Sequence, residues 1–374
     1  MAGQVADGEL TVTLAPRSGE TYARATRADD AEIRALLRET GTPGSVHLAF
    51  TREPDYFAAE GLGGSADYTV LHRVDGRLEG IGRLSAHTLH RNGAARRIAY
   101  LAELRVHPSA RRGMRRLREG YEALAEFARA EPFEACFTSI AAENVRARRV
   151  LEQGTRFGLP EYLPLADFVT LLVPVRRGVQ AAAPMRVDRA ELTAFLQRHA
   201  ARAQLTLTWD AARWEALARH GIGHTDFAVV YAGGRIVAAG AVWDQRAYRQ
   251  AVVLGYGSAL RWLRPAVNML ATLGLAPPLP PVGAVLRHGA IFAAAADEPW
   301  FWRPLLDDLR ATAIARGLDW LVIGRDARDP ELEILRRRAR VREYHTRLYD
   351  VRWPHLPARP PWDRSPFRPE VALL

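Results

Sequence analysis

The sequence predicts an α/β protein of two tandem units, each a mixed, mostly antiparallel sheet flanked by helices. Three observations predict it. The chain has 374 residues, a length that suits two ordinary domains. Extended runs alternate with amphipathic helical runs, and 48% apolar with 25% charged residues is the balance of a folded globular protein. The order of elements in the first half also recurs in the second. Tyr68 to Leu71 before Asp75-Gly76-Arg77 lines up with Phe227 to Val230 before Gly233-Gly234-Arg235, and Arg77 and Arg235 are 158 residues apart. The expected division is a leader over 1–20, a first unit over 21–178, a second over 179–353 and a proline-rich tail over 354–374.

Each element has a local cause. Residues 22–26 read as a strand. Acidic Asp29, Asp30 and Glu32 ahead of Ile33, Leu36 and Leu37 mark a helix start and an apolar face. A short helix is expected over 54–61. Runs 68–74 and 78–90 flank Asp75-Gly76, a hairpin signal. Residues 96–106 read as a strand, ended by Pro108. A long helix is expected over 112–130, a strand over 135–141, a short helix over 144–153 and an apolar strand over 161–175. The second half gives a helix (188–203), strands (227–231 and 235–243), a strand (289–295), a helix (301–316), a strand (320–324), a helix (330–340) and a last strand (346–353). Ala276 to Pro281 reads as a rigid loop, and the six prolines of the tail leave it either wrapped on the surface through Trp362 and Phe367 or loose.

Composition removes several function classes. The formal net charge is +10, and every basic residue other than histidine is arginine, so there is neither a phosphate-loop lysine nor a Schiff-base lysine. The single cysteine, Cys136, excludes an intrachain disulfide framework and a cysteine-rich zinc site and reads as a buried small residue. His87 and His90 lie three apart in an extended run and point to opposite faces, which argues against a metal. No apolar run reaches the ~18–20 residues of a membrane span. The expectations are a cytoplasmic protein with no metal, no nucleic-acid partner and no membrane partner.

The informative stretch runs Leu101-Ala102-Glu103-Leu104-Arg105-Val106-His107-Pro108-Ser109-Ala110-Arg111-Arg112-Gly113-Met114-Arg115-Arg116-Leu117. A strand, a proline stop and a glycine turn lead into a helix, whose first amides and positive end suit an anion. Gly113 would let successive amides turn inward, and Arg111, Arg112, Arg115 and Arg116 would add charge-assisted contacts to phosphate. Together with Asn144-Val145-Arg146-Ala147 after the next strand, this stretch resembles the acetyl-CoA-binding core of the GCN5-related N-acetyltransferases, over roughly residues 21–175. The second half resembles the same fold in outline, as in tandem members of that superfamily.

The resemblance implies a central splayed pair, strands 96–106 and 135–141, in each of two tandem domains of this fold. Pantetheine would lie between the strands on the backbone of Leu104 and Val106. The pyrophosphate would sit on the amides of Arg112, Gly113, Met114, Arg115, Arg116 and Leu117, with Arg111 beside it and Asn144 facing the pantetheine arm. Asn144 equally suits an N-cap. Acetyl-CoA would be the co-substrate, and a small-molecule or peptide amine the acceptor. Glu103 is the candidate general base, against the alternative that it pairs with an arginine. Two departures stand out: Arg115-Arg116 where the turn usually has a second small residue, and Leu151 where many members place a tyrosine acid. The second half carries Asp297-Glu298-Pro299-Trp300 in place of the basic turn, which would repel a pyrophosphate. Its expected role is to complete the acceptor cleft or mediate a homodimer. The alternative function is a non-catalytic acyl-CoA-binding or assembly module.

Overall fold

A computed structural model describes residues 19–42, 44–110, 113–175, 187–272, 278–338, 341–354 and 359–374. Its first half runs β1 (Glu20–Arg24), α1 (Asp30–Glu39), β2 (Val46–Thr51), β3 (Ala66–Val74), β4 (Arg77–Arg91), β5 (Ala94–Val106), α2 (Met114–Ala130), β6 (Ala135–Ala141), α3 (Val145–Glu152) and β7 (Glu161–Pro174). The second half runs α4 (Arg189–Ala200), α5 (Ala211–Ala218), β8 (Phe227–Ala232), β9 (Arg235–Trp243), β10 (Gln250–Tyr256), α6 (Ser258–Thr272), β11 (His288–Ala296), α7 (Trp302–Ala315), β12 (Trp320–Asp326), α8 (Pro330–Arg338) and β13 (Arg342–Arg352). The expected helix over 54–61 is instead two short 3-10 turns, Tyr56–Ala59 and Leu62–Gly64. β2, α5, β10 and α6 were not expected from the sequence.

Both hairpins close on the same turn. Asp75 and Gly76 have φ of 48° and 80°, Gly233 and Gly234 59° and 72°, and two positive values in a row match the right-handed twist of the flanking strands. Side-chain alternation then sorts the core into two layers. On one side of the sheet, Ile98, Tyr100, Phe137, Phe292 and Leu348 pack with Phe195 of α4, Trp214 of α5 and Phe367 of the tail, and α1 covers Leu71 and Ile81. On the other, Leu84, Leu101 and Cys136 pack against Tyr121 and Leu124 of α2, while Ile291 and Leu321 pack against Trp302 and Leu305 of α7.

Eleven strands form one sheet in the order β1-β3-β4-β5-β6-β13-β7-β12-β11-β9-β8, and β2 pairs separately with β10. β13 of the second half lies between β6 and β7 of the first, antiparallel to both. The sheet therefore runs through the boundary expected at residues 178 and 179, which lie outside the described residues. The tail is neither loose nor merely superficial: Phe367 is 2% exposed, and Gln204 N and Arg368 N bond to Pro366 O and Gln204 O.

Candidate functional site

β5 and β6 pair in parallel for only three residues each, 98–100 with 135–137. The last link between them is Thr138 Oγ1 donating to Leu101 O at 2.7 Å. A bulge bends β5 away. Ile81 faces Arg105 and Arg83 faces Ala102, so Gly82 alone opposes both Glu103 and Leu104, and Glu103 has φ 53°. The space opposite is tight, since a Cβ on Gly82 would stand 3.0 Å from Leu104 Cδ2. The second half repeats the construction. β11 and β12 pair over 288–290 with 320–322, Gly240 opposes Ala293 and Ala294, and Ala293 has φ 49°.

Glu103, the sequence-expected base, lies at the first bulge but is tied there. Arg52 Nε donates to Oε1 at 2.8 Å, and Tyr56 Oη donates to Oε2 at 2.9 Å. Burial raises its pKa, but the charges of Arg52 and Arg83 outweigh that and hold it at about 2. Arg83 is itself buried against Asp67, Nη2 to Oδ1 at 2.7 Å. Glu103 thus takes the alternative the sequence left open, pairing with an arginine, and a carboxylate held that low is a weak proton acceptor. The simple alternation expected for residues 103–106 is also broken, because the bulge inserts an extra residue. Leu104 and Val106 are 39% and 46% exposed along the open edge of β5.

At the turn, Arg111 and Arg112 lie outside the described residues. The carbonyl of Gly113 accepts from Leu117 N at 3.2 Å and opens α2. Met114 and Leu117 pack half-buried against the α2 core. Arg115 and Arg116 do not offer their side chains to a phosphate. Arg115 binds Glu20 and Glu119, and Arg116 binds Glu20 and Glu79, all within 3.1 Å. Three carboxylates relieve the like-charge crowding that the sequence placed on a positive helix end. The first-turn amides of α2 have no acceptor within the helix, as at any helix start. Asn144 caps α3, accepting from Ala147 N at 3.2 Å, and Leu151 is buried.

The second splay is spanned by the chain itself. Arg325 of β12 reaches across to Ala294 O at 2.8 Å. The tail bonds to both strands: Asp326 N to Phe367 O at 3.1 Å, and Ala293 N to Glu370 Oε2 at 3.2 Å. Burial pushes Glu370 up to about 7. Where the first bulge carries its own carboxylate, the second receives one from the tail. Asp297 of the acidic turn is held by His199 at 2.9 Å, Arg235 at 3.0 Å and Arg198 at 3.1 Å. Sequence reasoning missed Arg52, Tyr56, Arg83, Arg249 and Glu370. Arg249 is half-buried, lowered to about 10 by desolvation, and donates to Ala372 O at 2.6 Å. Single arginines in an arginine-rich chain give no local signal, and only the fold gathers them.

The architecture has known counterparts. A GCN5-related N-acetyltransferase from Sphaerobacter thermophilus superposes with a TM-score of 0.50 at 15% identity, covering 93% of this chain and 98% of that one. Saccharomyces cerevisiae N-myristoyltransferase, solved with bound myristoyl-CoA and inhibitors, gives 0.59 at 13%, covering 92% and 82%. A further structure of the yeast enzyme with bound myristoyl-CoA gives 0.58 at 11%, covering 94% and 85%. This chain has the GCN5-related N-acetyltransferase fold. No protein-family model matches the sequence, and no curated protein does. At such low identity the likeness lies in the course of the backbone rather than in shared side chains.

Proposed function

We propose that the chain is an acyl-CoA-dependent N-acyltransferase whose first half is active, with acetyl-CoA as donor. The observation that carries this reading is the contrast between an open first splay, with Leu104 and Val106 at its edge, and a second splay crossed by Arg325 and the tail. The acceptor nitrogen attacks the thioester carbonyl, a C–N bond forms, the C–S bond breaks, and the amine proton passes to solvent as the CoA thiolate leaves. A thiol of pKa about 8.5 needs little protonation to depart, which suits Leu151 in place of an acid.

Glu103 then acts as an anion that holds the incoming ammonium rather than as the base. Moving a proton from an ammonium of pKa about 10 to a carboxylate near 2 is uphill by about 11 kcal/mol. Such a site favours amines already partly neutral at pH 7–8, such as a peptide α-amino group of pKa about 8. Glu103→Gln is expected to raise KM for the acceptor about tenfold, the value of one charge-assisted hydrogen bond, with kcat and its pH profile retained. A collapse of kcat with loss of the basic limb would make Glu103 the base after all.

The reading itself is tested by calorimetric titration with acetyl-CoA, longer acyl-CoAs and free CoA. One site per chain is expected, with about 2.7 kcal/mol of added stability at a hundredfold excess over Kd. No binding would overturn it. Binding without turnover across a broad amine panel would favour the non-catalytic acyl-CoA module, the alternative that the occupied Arg115 and Arg116 and the low basicity of Glu103 keep in view.

A further inference from the structure

β4 and β5 are joined by Asn92 and Gly93 alone, whereas residues 244–287 intervene between β9 and β11, and the described ones among them form an arm. The arm's helix, α6, is inside out. Arg264 and Asn268 face the arm and bond to the backbone of Leu279, Arg264 Nε to O at 3.1 Å and Leu279 N to Asn268 Oδ1 at 2.7 Å. Trp262, Leu263, Met269 and Leu270, which fall on one side at helical spacing, are 81%, 56%, 63% and 40% exposed. No residue of the helix is buried. A helix that packs for stability turns its apolar stripe the other way.

The sequence around it is equally one-sided. The 52 residues 245–296 contain no Asp or Glu, although the chain has 42 of them, and they carry five arginines. We propose that α6 is a membrane-surface helix, laying Trp262, Leu263, Met269 and Leu270 into the interface of an anionic bilayer with exposed Arg261 toward its phosphates. Outward tryptophan and leucine beside arginine, with no acid, is the composition of an interfacial helix. Charge decides against a second copy as the occupant. A two-fold contact of α6 on its counterpart would set each Arg261 against a helix, Ser258–Thr272, that has no carboxylate to meet it. Lipid phosphates supply that charge.

The sequence-based expectation of no membrane partner rested on the lack of a spanning segment, and among the described residues no helix is long and apolar enough to cross a membrane. A helix lying in the interface needs no such length. The arm is also rooted at the candidate site. Gln250 Oε1 accepts from Glu53 N at 2.9 Å and from Thr51 Oγ1 at 3.0 Å, on either side of the Arg52 that binds Glu103.

The test is flotation of the full chain with phosphatidylcholine vesicles containing about 30% phosphatidylglycerol, against phosphatidylcholine alone. The wild type is expected to float with the anionic vesicles and far less with the neutral ones. Trp262→Glu and Met269→Glu are each expected to weaken partitioning about tenfold or more, and Arg261→Glu by several fold. Unchanged melting temperatures exclude misfolding of these surface variants. Failure to float, or variants that float as well as the wild type, would overturn the proposal. So would a dimer in light scattering that Trp262→Glu dissolves, which would assign the face to a second copy. None of these readouts uses an acyl-CoA, so they stand apart from the acyltransferase reading.

Discussion

At the first splay, the strand edge beyond Tyr100 carries exposed Leu104 and Val106, and the bulge holds Glu103 between Arg52 and Tyr56. At the second, the same three-residue parallel pairing and the same glycine-opposed bulge lead into Arg325, Phe367 and Glu370. The backbone device is common to both, and side chains decide what each does. With Ala293 and Ala294 in place of Glu103 and Leu104, the second bulge has no charge or bulk of its own. A chain segment that brings Glu370 and buries Phe367 is accommodated there. The lesson is that a splay is only a gap between strands, and the residues at its rim settle whether it receives a ligand or the protein's own tail.

The largest expected effect that sharpens this contrast comes from Phe367→Ala. Removing a fully buried aromatic should destabilise the fold by about 3–5 kcal/mol in denaturant unfolding. Acetyl-CoA affinity at the first splay should stay unchanged, and a parallel loss of affinity would mean that the two openings are not separate. Next comes pH. Glu370 has a folded pKa of about 7, above the ordinary carboxylate value, so it favours the folded state fully below about pH 4.5 and loses that contribution as pH rises through 7. Glu370→Gln should remove a decline of up to about 3 kcal/mol across that window, read from denaturant midpoints at successive pH values. An unaltered slope would break the picture of a desolvated tail carboxylate. The smallest effect compares the two bulges. Gly240→Ala meets Ala294 Cβ at 2.9 Å and its Cα at 3.2 Å, whereas Gly82→Ala meets the movable ends of Leu104 and Leu124. The first should cost about 1–3 kcal/mol and the second less, the order being read from thermal melts of the two variants.

Much of the fold was legible because its signals are local. β6 over Ala135–Ala141 and β9 over Arg235–Trp243 fall where alternation places them, and the hairpins follow from Asp75-Gly76 and Gly233-Gly234. α6 was not legible, since its apolar stripe lies on its outer side and Pro265 interrupts the pattern. The candidate site was legible in part. Glu103, Leu104 and Val106 do lie at a splay, and Asn144 does cap a helix. Which groups pair with Glu103, Arg115 and Arg116 was not legible, because their partners Arg52, Glu20 and Glu79 are remote in sequence.

Periodicity, turn residues and caps act over a few positions, so the sequence by itself determined most of the elements, their order and the twofold repetition of hairpin, strand, helix and strand. Three matters were decided only by tertiary structure: that β13 inserts between β6 and β7, that the tail bridges the second splay, and that a ring of arginines lowers the pKa of Glu103. Strand insertion joins residues more than 150 positions apart, and Arg52 lies 51 positions from Glu103. The energies of such contacts exist only once burial has removed the water that would otherwise screen them.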